Sequence, residues 1–254
     1  MQGENKGWAL ITGALGGIGQ ALVREYANNG YSVIALDIKN DNGSISKYSN
    51  VYFMQLDLEK LAIDEKYALN FYREVKALTK EDCISTLVNN AAVQVLAHSS
   101  VMSREIWSTS FNVNLMAPFF LSQLFLNDLE ASFGSIVNIS SIHATQTKSN
   151  FVAYATTKAA LSSLTRNMVL DLGNKIRINA IEPAAIATDM LKAGFEGKQE
   201  KYEQLERFHP LGRVGTPEEV AKLCVFLSSQ DAGFVQGACI SASGGISGCL
   251  SDPD

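Results

Sequence analysis

Two kinds of apolar pattern alternate along this chain. Short apolar-rich runs fall at 8–12, 32–36, 51–55, 85–88, 135–139, 177–181 and 238–242. Each is four or five residues long, and as a group they favour Val, Ile and Leu, as strands buried on both faces do. Between them lie longer stretches at 18–29, 63–78, 111–129, 153–172 and 217–227, whose apolar positions recur every three or four residues and predict amphipathic helices. A strand that rejoins its sheet after a helix runs parallel to the one before, and such crossovers are right-handed. The order therefore predicts a doubly wound, seven-stranded parallel sheet with helices on both faces. No internal repeat, low-complexity tract or Pro- or Gly-rich linker breaks the rhythm, so a single domain over 1–254 is expected.

One segment departs from it. Positions 191–208 carry Glu196, Lys198, Glu200, Lys201, Glu203, Glu206 and Arg207 between a strand and the next regular helix. These charges read as a solvated helical face. A helix inserted at the carboxyl edge of the sheet can also close over a substrate, so 189–210 is expected to form a lid.

Composition narrows the possible functions. A net charge of −5 leaves no basic surplus for phosphates, which argues against a general nucleic-acid binder. Pro118, Ser122 and Gln123 interrupt the greasiest stretch, and no apolar run reaches the length of a membrane span. The polar start at 1–7 and the short apolar run 8–11 do not make a secretory signal, so a cytoplasmic location is expected. Cys83, Cys224, Cys239 and Cys249 lie far apart, and His98, His143 and His209 show no ligand spacing; reduced thiols and no metal are expected.

The first predicted strand runs into Thr12-Gly13-Ala14-Leu15-Gly16-Gly17-Ile18-Gly19, and a helix follows. Gly13, Gly17 and Gly19 let the chain turn tightly and let backbone N–H groups approach a pyrophosphate. The helix start adds the positive end of its dipole. No Gly-Lys-Ser/Thr follows, which excludes a P-loop. The second strand leads to Asp37, eighteen positions after Gly19, where a carboxylate can accept from the adenosine ribose hydroxyls. The same charge repels a 2′-phosphate, and Ile38 supplies no cation, so a Rossmann-type site preferring NAD(H) over NADP(H) is expected.

Further motifs complete the set: Asp57-Leu58, Asn89-Asn90-Ala91-Ala92, Asn114, Ser141, Tyr154-Ala155-Thr156-Thr157-Lys158, and then Asn179, Pro183, Ile186 and Thr188. Over nearly the whole chain this resembles the short-chain dehydrogenase/reductase family, in its shorter single-domain form. The resemblance implies a catalytic set of Asn114, Ser141, Tyr154 and Lys158. It also implies coenzyme contacts from Gly13, Leu15, Gly17, Ile18, Gly19, Asp37, Ile38, Asp57, Leu58, Asn90, Ala91, Ala92, Tyr154, Lys158, Pro183, Ile186 and Thr188. Lys158 is implied to hold the nicotinamide ribose and Asn114 to support a proton-relaying water chain.

The chemistry also follows from the residues themselves. Positions four apart share a helical face, so Tyr154 and Lys158 can serve one site. A phenol is a poor base at neutral pH; an adjacent ammonium and the positive oxidised nicotinamide are expected to lower its pKa. Tyr154 then moves a proton to or from a substrate oxygen while Ser141 donates to it.

The chain departs from the family pattern at Ala92 and Ala184, each where glycine is usual, and at Ser243, where aspartate is common. Gln94 and His143 resemble positions that 3-hydroxybutyrate dehydrogenases use for a carboxylate, but Phe151 stands where those enzymes have lysine, with Lys148 out of register. A 3-oxoacyl thioester (acyl carrier protein) reductase is a further option, although Gly16 replaces the basic residue usual in its glycine turn. Sugar or polyol oxidation stays open. The rival of another class is a non-enzymatic NAD(H)-sensing protein, for which the complete Ser141, Tyr154 and Lys158 set has no chemical use. Nucleotide-sugar epimerases usually add a larger C-terminal domain than this length allows. The family resemblance implies a homo-tetramer or homo-dimer built on helices 111–129 and 153–172, with Met116, Phe119, Phe120, Leu121, Leu124 and Phe125 as apolar cover.

Overall fold

The computed structural model describes residues 6–41, 43–45 and 47–249. The terminal residues 1–5 and 250–254, which the single-domain reading includes, lie outside the described residues. Seven strands form one sheet: β1 (Trp8–Thr12), β2 (Ser32–Asp37), β3 (Val51–Gln55), β4 (Ile84–Asn89), β5 (Ser135–Ile139), β6 (Arg177–Pro183) and β7 (Cys239–Ala242). Their order is β3-β2-β1-β4-β5-β6-β7, and every pairing is parallel. The doubly wound expectation holds. The order reverses between β1 and β4, which opens a crevice at their carboxyl ends, where such sheets bind ligands.

Burial explains the continuous apolar runs. All five residues of β1 and all five of β5 are buried, because helices cover both faces of the sheet. Of the two edge strands, β3 buries only Val51 and β7 buries none of its residues. On one face Val23, Tyr26, Val220 and Leu227 pack with Ile11 and Val88; on the other Phe71, Leu121, Phe125 and Met168 pack with Leu10 and Leu87.

Ten α-helices are found among the described residues: α1 (Gly17–Asn28), α2 (Leu58–Ile63), α3 (Glu65–Thr79), α4 (Arg104–Phe111), α5 (Ala117–Leu124), α6 (Leu126–Ala131), α7 (Val152–Leu172), α8 (Asp189–Gly194), α9 (Gln199–Arg207) and α10 (Pro217–Ser228). Two differ from expectation. The helix expected at 63–78 is α3, and an unexpected short helix, α2, precedes it, because Asp57 and Asp64 each cap a separate start by accepting from the backbone N–H three residues on. The long helix expected at 111–129 begins earlier, behind Ser103, and is interrupted by a wider π turn at Asn112–Met116. Pro118 has no N–H for the carbonyl of Asn114, so regular α-helical bonding cannot run through. The charged segment folds as α8 and α9, and α9 buries none of its residues.

Candidate active site

The glycine turn is built as its spacing predicts. Gly13 has φ +65°, and a Cβ there would lie 2.8 Å from Ala91 Cα. A Cβ on Gly19 would lie 1.9 Å from the Gly13 carbonyl oxygen, and one on Gly17 2.7 Å from Thr188 Cγ2. Only glycines let the β1–α1 turn, the end of β4 and the loop after β6 come this close. Gly16 caps α1 without a side-chain bond, so the helix start presents backbone donors suited to an anion.

Asp37 closes the turn from the side. Its Oδ2 accepts from Leu15 N at 3.0 Å and its Oδ1 from Lys39 N at 3.0 Å. Ile38 is exposed, and its carbonyl accepts from Gln55 Nε2. Asp57 caps α2 through Lys60 N, and Leu58 is buried in the first turn. Asn90 stitches the turn to β4, its Nδ2 donating to the Thr12 and Gly13 carbonyls at 2.9 and 3.1 Å. Thr12 joins the site beyond the expected residues: its hydroxyl accepts from Asn90 N and Ala91 N, both at 3.0 Å. A hydroxyl ending an otherwise apolar strand was its signal.

The catalytic candidates converge at the ends of β4 and β5 and along α7. Asn114 lies fully buried in the π turn; its Oδ1 accepts from Val93 N at 2.8 Å, and its Nδ2 donates to the Val93 carbonyl at 2.9 Å and Thr157 Oγ1 at 3.1 Å. The amide thus fastens the loop after β4 to the catalytic helix. Ser141 is buried two residues past the end of β5, its Oγ accepts from His143 N at 3.2 Å, and its hydroxyl is near enough to the Tyr154 phenol to favour the phenolate. Lys158 is buried one turn beyond Tyr154, with Nζ donating to the Ile139 carbonyl at 2.7 Å and 5.6 Å from the centre of the tyrosine ring.

In the chain alone the Tyr154 pKa is raised, because burial disfavours the phenolate more than the neighbouring Ser141 hydroxyl favours it. Burial likewise lowers Lys158 from 10.5 to about 7. In the chain alone, burial thus disfavours the charged form of each group.

Around this centre the remaining candidates fall as follows. Pro183 ends β6, Ile186 bridges to Gly215, and Thr188 caps α8 by accepting from Leu191 N at 3.2 Å. Asn179 is structural: its side chain bonds the Val235 carbonyl and Ala238 N. Ala92 and Gln94 are exposed. His143 stacks on Phe151 with ring centres 4.3 Å apart and meets Tyr154 edge-on at 5.9 Å. Lys148 Nζ lies 4.9 Å from the Phe151 ring centre, so the chain brings a cation to this face from three residues earlier in sequence. Burial and Lys148 together lower the His143 pKa. In place of the aspartate common at 243, the Ser241, Ser243 and Ser247 hydroxyls bond one another at 2.8–2.9 Å. Among the described residues no cluster of three His, Cys, Asp or Glu could hold a metal, and no helix is long and apolar enough to cross a membrane.

Residues 13–247 match a family model described as enoyl-(acyl carrier protein) reductase, so the match takes in both the glycine turn and the Tyr154–Lys158 helix. The chain is a short-chain dehydrogenase/reductase. Among its curated relatives are the protein FixR of Bradyrhizobium diazoefficiens, 36% identical over 93% of this chain and 85% of that one, and the 3-oxoacyl-[acyl-carrier-protein] reductase FabG of Thermotoga maritima, 35% identical over 93% and 96%. The ligand-free aldohexose dehydrogenase of Thermoplasma acidophilum superposes with a TM-score of 0.87 at 30% identity, covering 97% of each chain. This member of the family is an oxidoreductase of CH–OH and carbonyl substrates, and a nicotinamide coenzyme is what the family fold receives.

Proposed function

We propose that this chain transfers hydride between NAD(H) and a secondary alcohol or ketone, with Tyr154 as general acid–base. The observation that carries the reading is the convergence of three groups: the Tyr154 phenol, the buried Ser141 hydroxyl that acts on it, and Lys158, buried one helical turn away with Nζ 5.6 Å from the tyrosine ring centre. The glycine turn, the uncapped start of α1 and the Asp37 carboxylate suit the coenzyme, whose nicotinamide supplies or accepts the hydride. In reduction the Tyr154 hydroxyl gives its proton to the carbonyl oxygen as negative charge grows there, and Ser141 donates a second hydrogen bond to the same oxygen. A phenol whose pKa is raised by burial keeps that proton at neutral pH, which suits reduction. In oxidation the same phenol must ionise, and a positive charge brought alongside it is what would lower its pKa.

Asp37 supports NAD(H) over NADP(H): its two oxygens are fixed by Leu15 N and Lys39 N, and its charge opposes a 2′-phosphate. Helices α8 and α9 act as the lid over the substrate. A second reading concerns the substrate. The stack of His143 on Phe151, with the Lys148 ammonium 4.9 Å from the Phe151 ring centre, favours an anionic partner such as a 3-hydroxy acid, and Gln94 is exposed on the loop after β4. The likeness to a 3-oxoacyl-[acyl-carrier-protein] reductase supports a 3-oxoacyl thioester as the other candidate.

The test is a panel of 3-oxo acids, 3-oxoacyl thioesters, aldoses and simple ketones, run with NADH and NADPH in parallel. Turnover with NADH in preference to NADPH on at least one class is expected. Tight NADH binding without turnover across the panel would instead identify a coenzyme-sensing protein.

A further inference from the structure

A buried acid that this chemistry does not use lies directly behind the catalytic helix. Glu182 is 8% exposed, sits one residue before Pro183 on β6, and pairs in register with Ser241 of β7. Its Oε1 accepts from Ser162 Oγ at 2.7 Å. Ser162 Oγ lies 2.8 Å from Ser140 Oγ, and Ser140 Oγ donates to the Lys158 carbonyl at 2.9 Å. All four residues are buried.

The carboxylate gives this chain of hydroxyls a direction. Each serine has one proton to donate. Ser162 commits its proton to Glu182, so its oxygen is free to accept from Ser140. The Ser140 proton then points between Ser162 Oγ and the Lys158 carbonyl. Ser162 is one helical turn beyond Lys158 on α7, and Ser140 adjoins Ser141 at the end of β5. The network therefore ties the middle of α7 to the ends of β5 and β6, and so sets the separation between Ser141 and the Tyr154–Lys158 pair. Plain core packing would be met more cheaply by an apolar side chain, since a buried carboxylate is costly unless it is fully bonded.

We propose that Glu182 is a positioning residue for the reaction, holding the catalytic helix in register with Ser141 through Ser162 and Ser140. The inference rests on the Tyr154 reading above.

The experiment compares Glu182→Ala, Glu182→Gln, Ser162→Ala and the Glu182→Ala/Ser162→Ala pair with the unmodified chain, on a substrate found by the panel. Small displacements of a reacting group cost one to two orders of magnitude, so each alanine change is expected to lower kcat by about tenfold. The KM for coenzyme should stay within about twofold, because the glycine turn and Asp37 are untouched. Glu182→Gln retains an oxygen that accepts from Ser162 and should keep most of kcat. The double variant should lose no more than either single one, as members of one network do. Folded alanine variants with unchanged kcat, a glutamine variant as slow as alanine, or additive losses would each overturn the proposal. If Glu182→Ala does not fold, Ser162→Ala decides alone. Tyr154→Phe in the same assay separates the two levels. Loss of turnover there with no effect at Glu182 sinks only this inference. Retained turnover in Tyr154→Phe sinks the parent reading and this inference together.

Discussion

Lys158 shows how far burial governs single residues in this site. Its ammonium is removed from water and has one carbonyl partner, Ile139, which is too little to hold the charged form at its ordinary strength. With a folded value of about 7 against 10.5 for an ordinary lysine, the unfolded chain binds more protons between those two values. The sign is therefore that this residue adds stability as pH rises from about 7, and that the contribution is absent below it. Lys158→Met removes the titration. Thermal midpoints measured without coenzyme should show the unmodified chain gaining on Lys158→Met from pH 7 to pH 9; a constant difference would mean the ammonium is better accommodated than its burial implies.

At the scale of elements, most of the architecture was legible because strands buried on both faces and amphipathic helices leave different periods in the sequence. The glycine turn was legible for a related reason: Gly13, Gly17 and Gly19 are required by close approach, and no other residue type satisfies it. Gly19→Ala is the sharpest check, since its methyl would lie 1.9 Å from the Gly13 carbonyl oxygen. Loss of NADH fluorescence enhancement is expected, together with destabilisation of about 1–3 kcal/mol as the turn is forced apart. Unchanged NADH binding would show that the turn is not the coenzyme cradle. What the pattern concealed were the breaks. Periodicity runs straight through 111–129, where Pro118 and the bonds made by Asn114 impose a π turn, and it gives no sign of the short helix α2 that Asp57 starts before α3. The Glu182–Ser162–Ser140 network was hidden for another reason. Its members are far apart in sequence, and small hydroxyls leave no periodic signal.

For the whole molecule, the apolar stretch expected to mediate assembly divides in two. Leu121 and Phe125 are fully buried in the core, and Met116, Phe120 and Leu124 pack partly against it; Phe119 stays 37% exposed. The outer face of α7 adds Leu170, which is 81% exposed. A dimer or tetramer that covers these side chains is expected by light scattering, and Leu170→Glu should shift it toward monomer. A monomeric unmodified chain at micromolar concentration would contradict that assembly.

On this reading one phenol, beside Ser141 and the buried Lys158, carries the proton of a hydride-transfer reaction. Tyr154→Phe deletes that hydroxyl and little else, so NADH titration and turnover on the same purified variant test it most directly. Binding within about twofold of the unmodified chain, with turnover reduced by at least about a hundredfold, is the predicted result. A phenylalanine variant that still turns over at a comparable rate would show that the proton travels by another group.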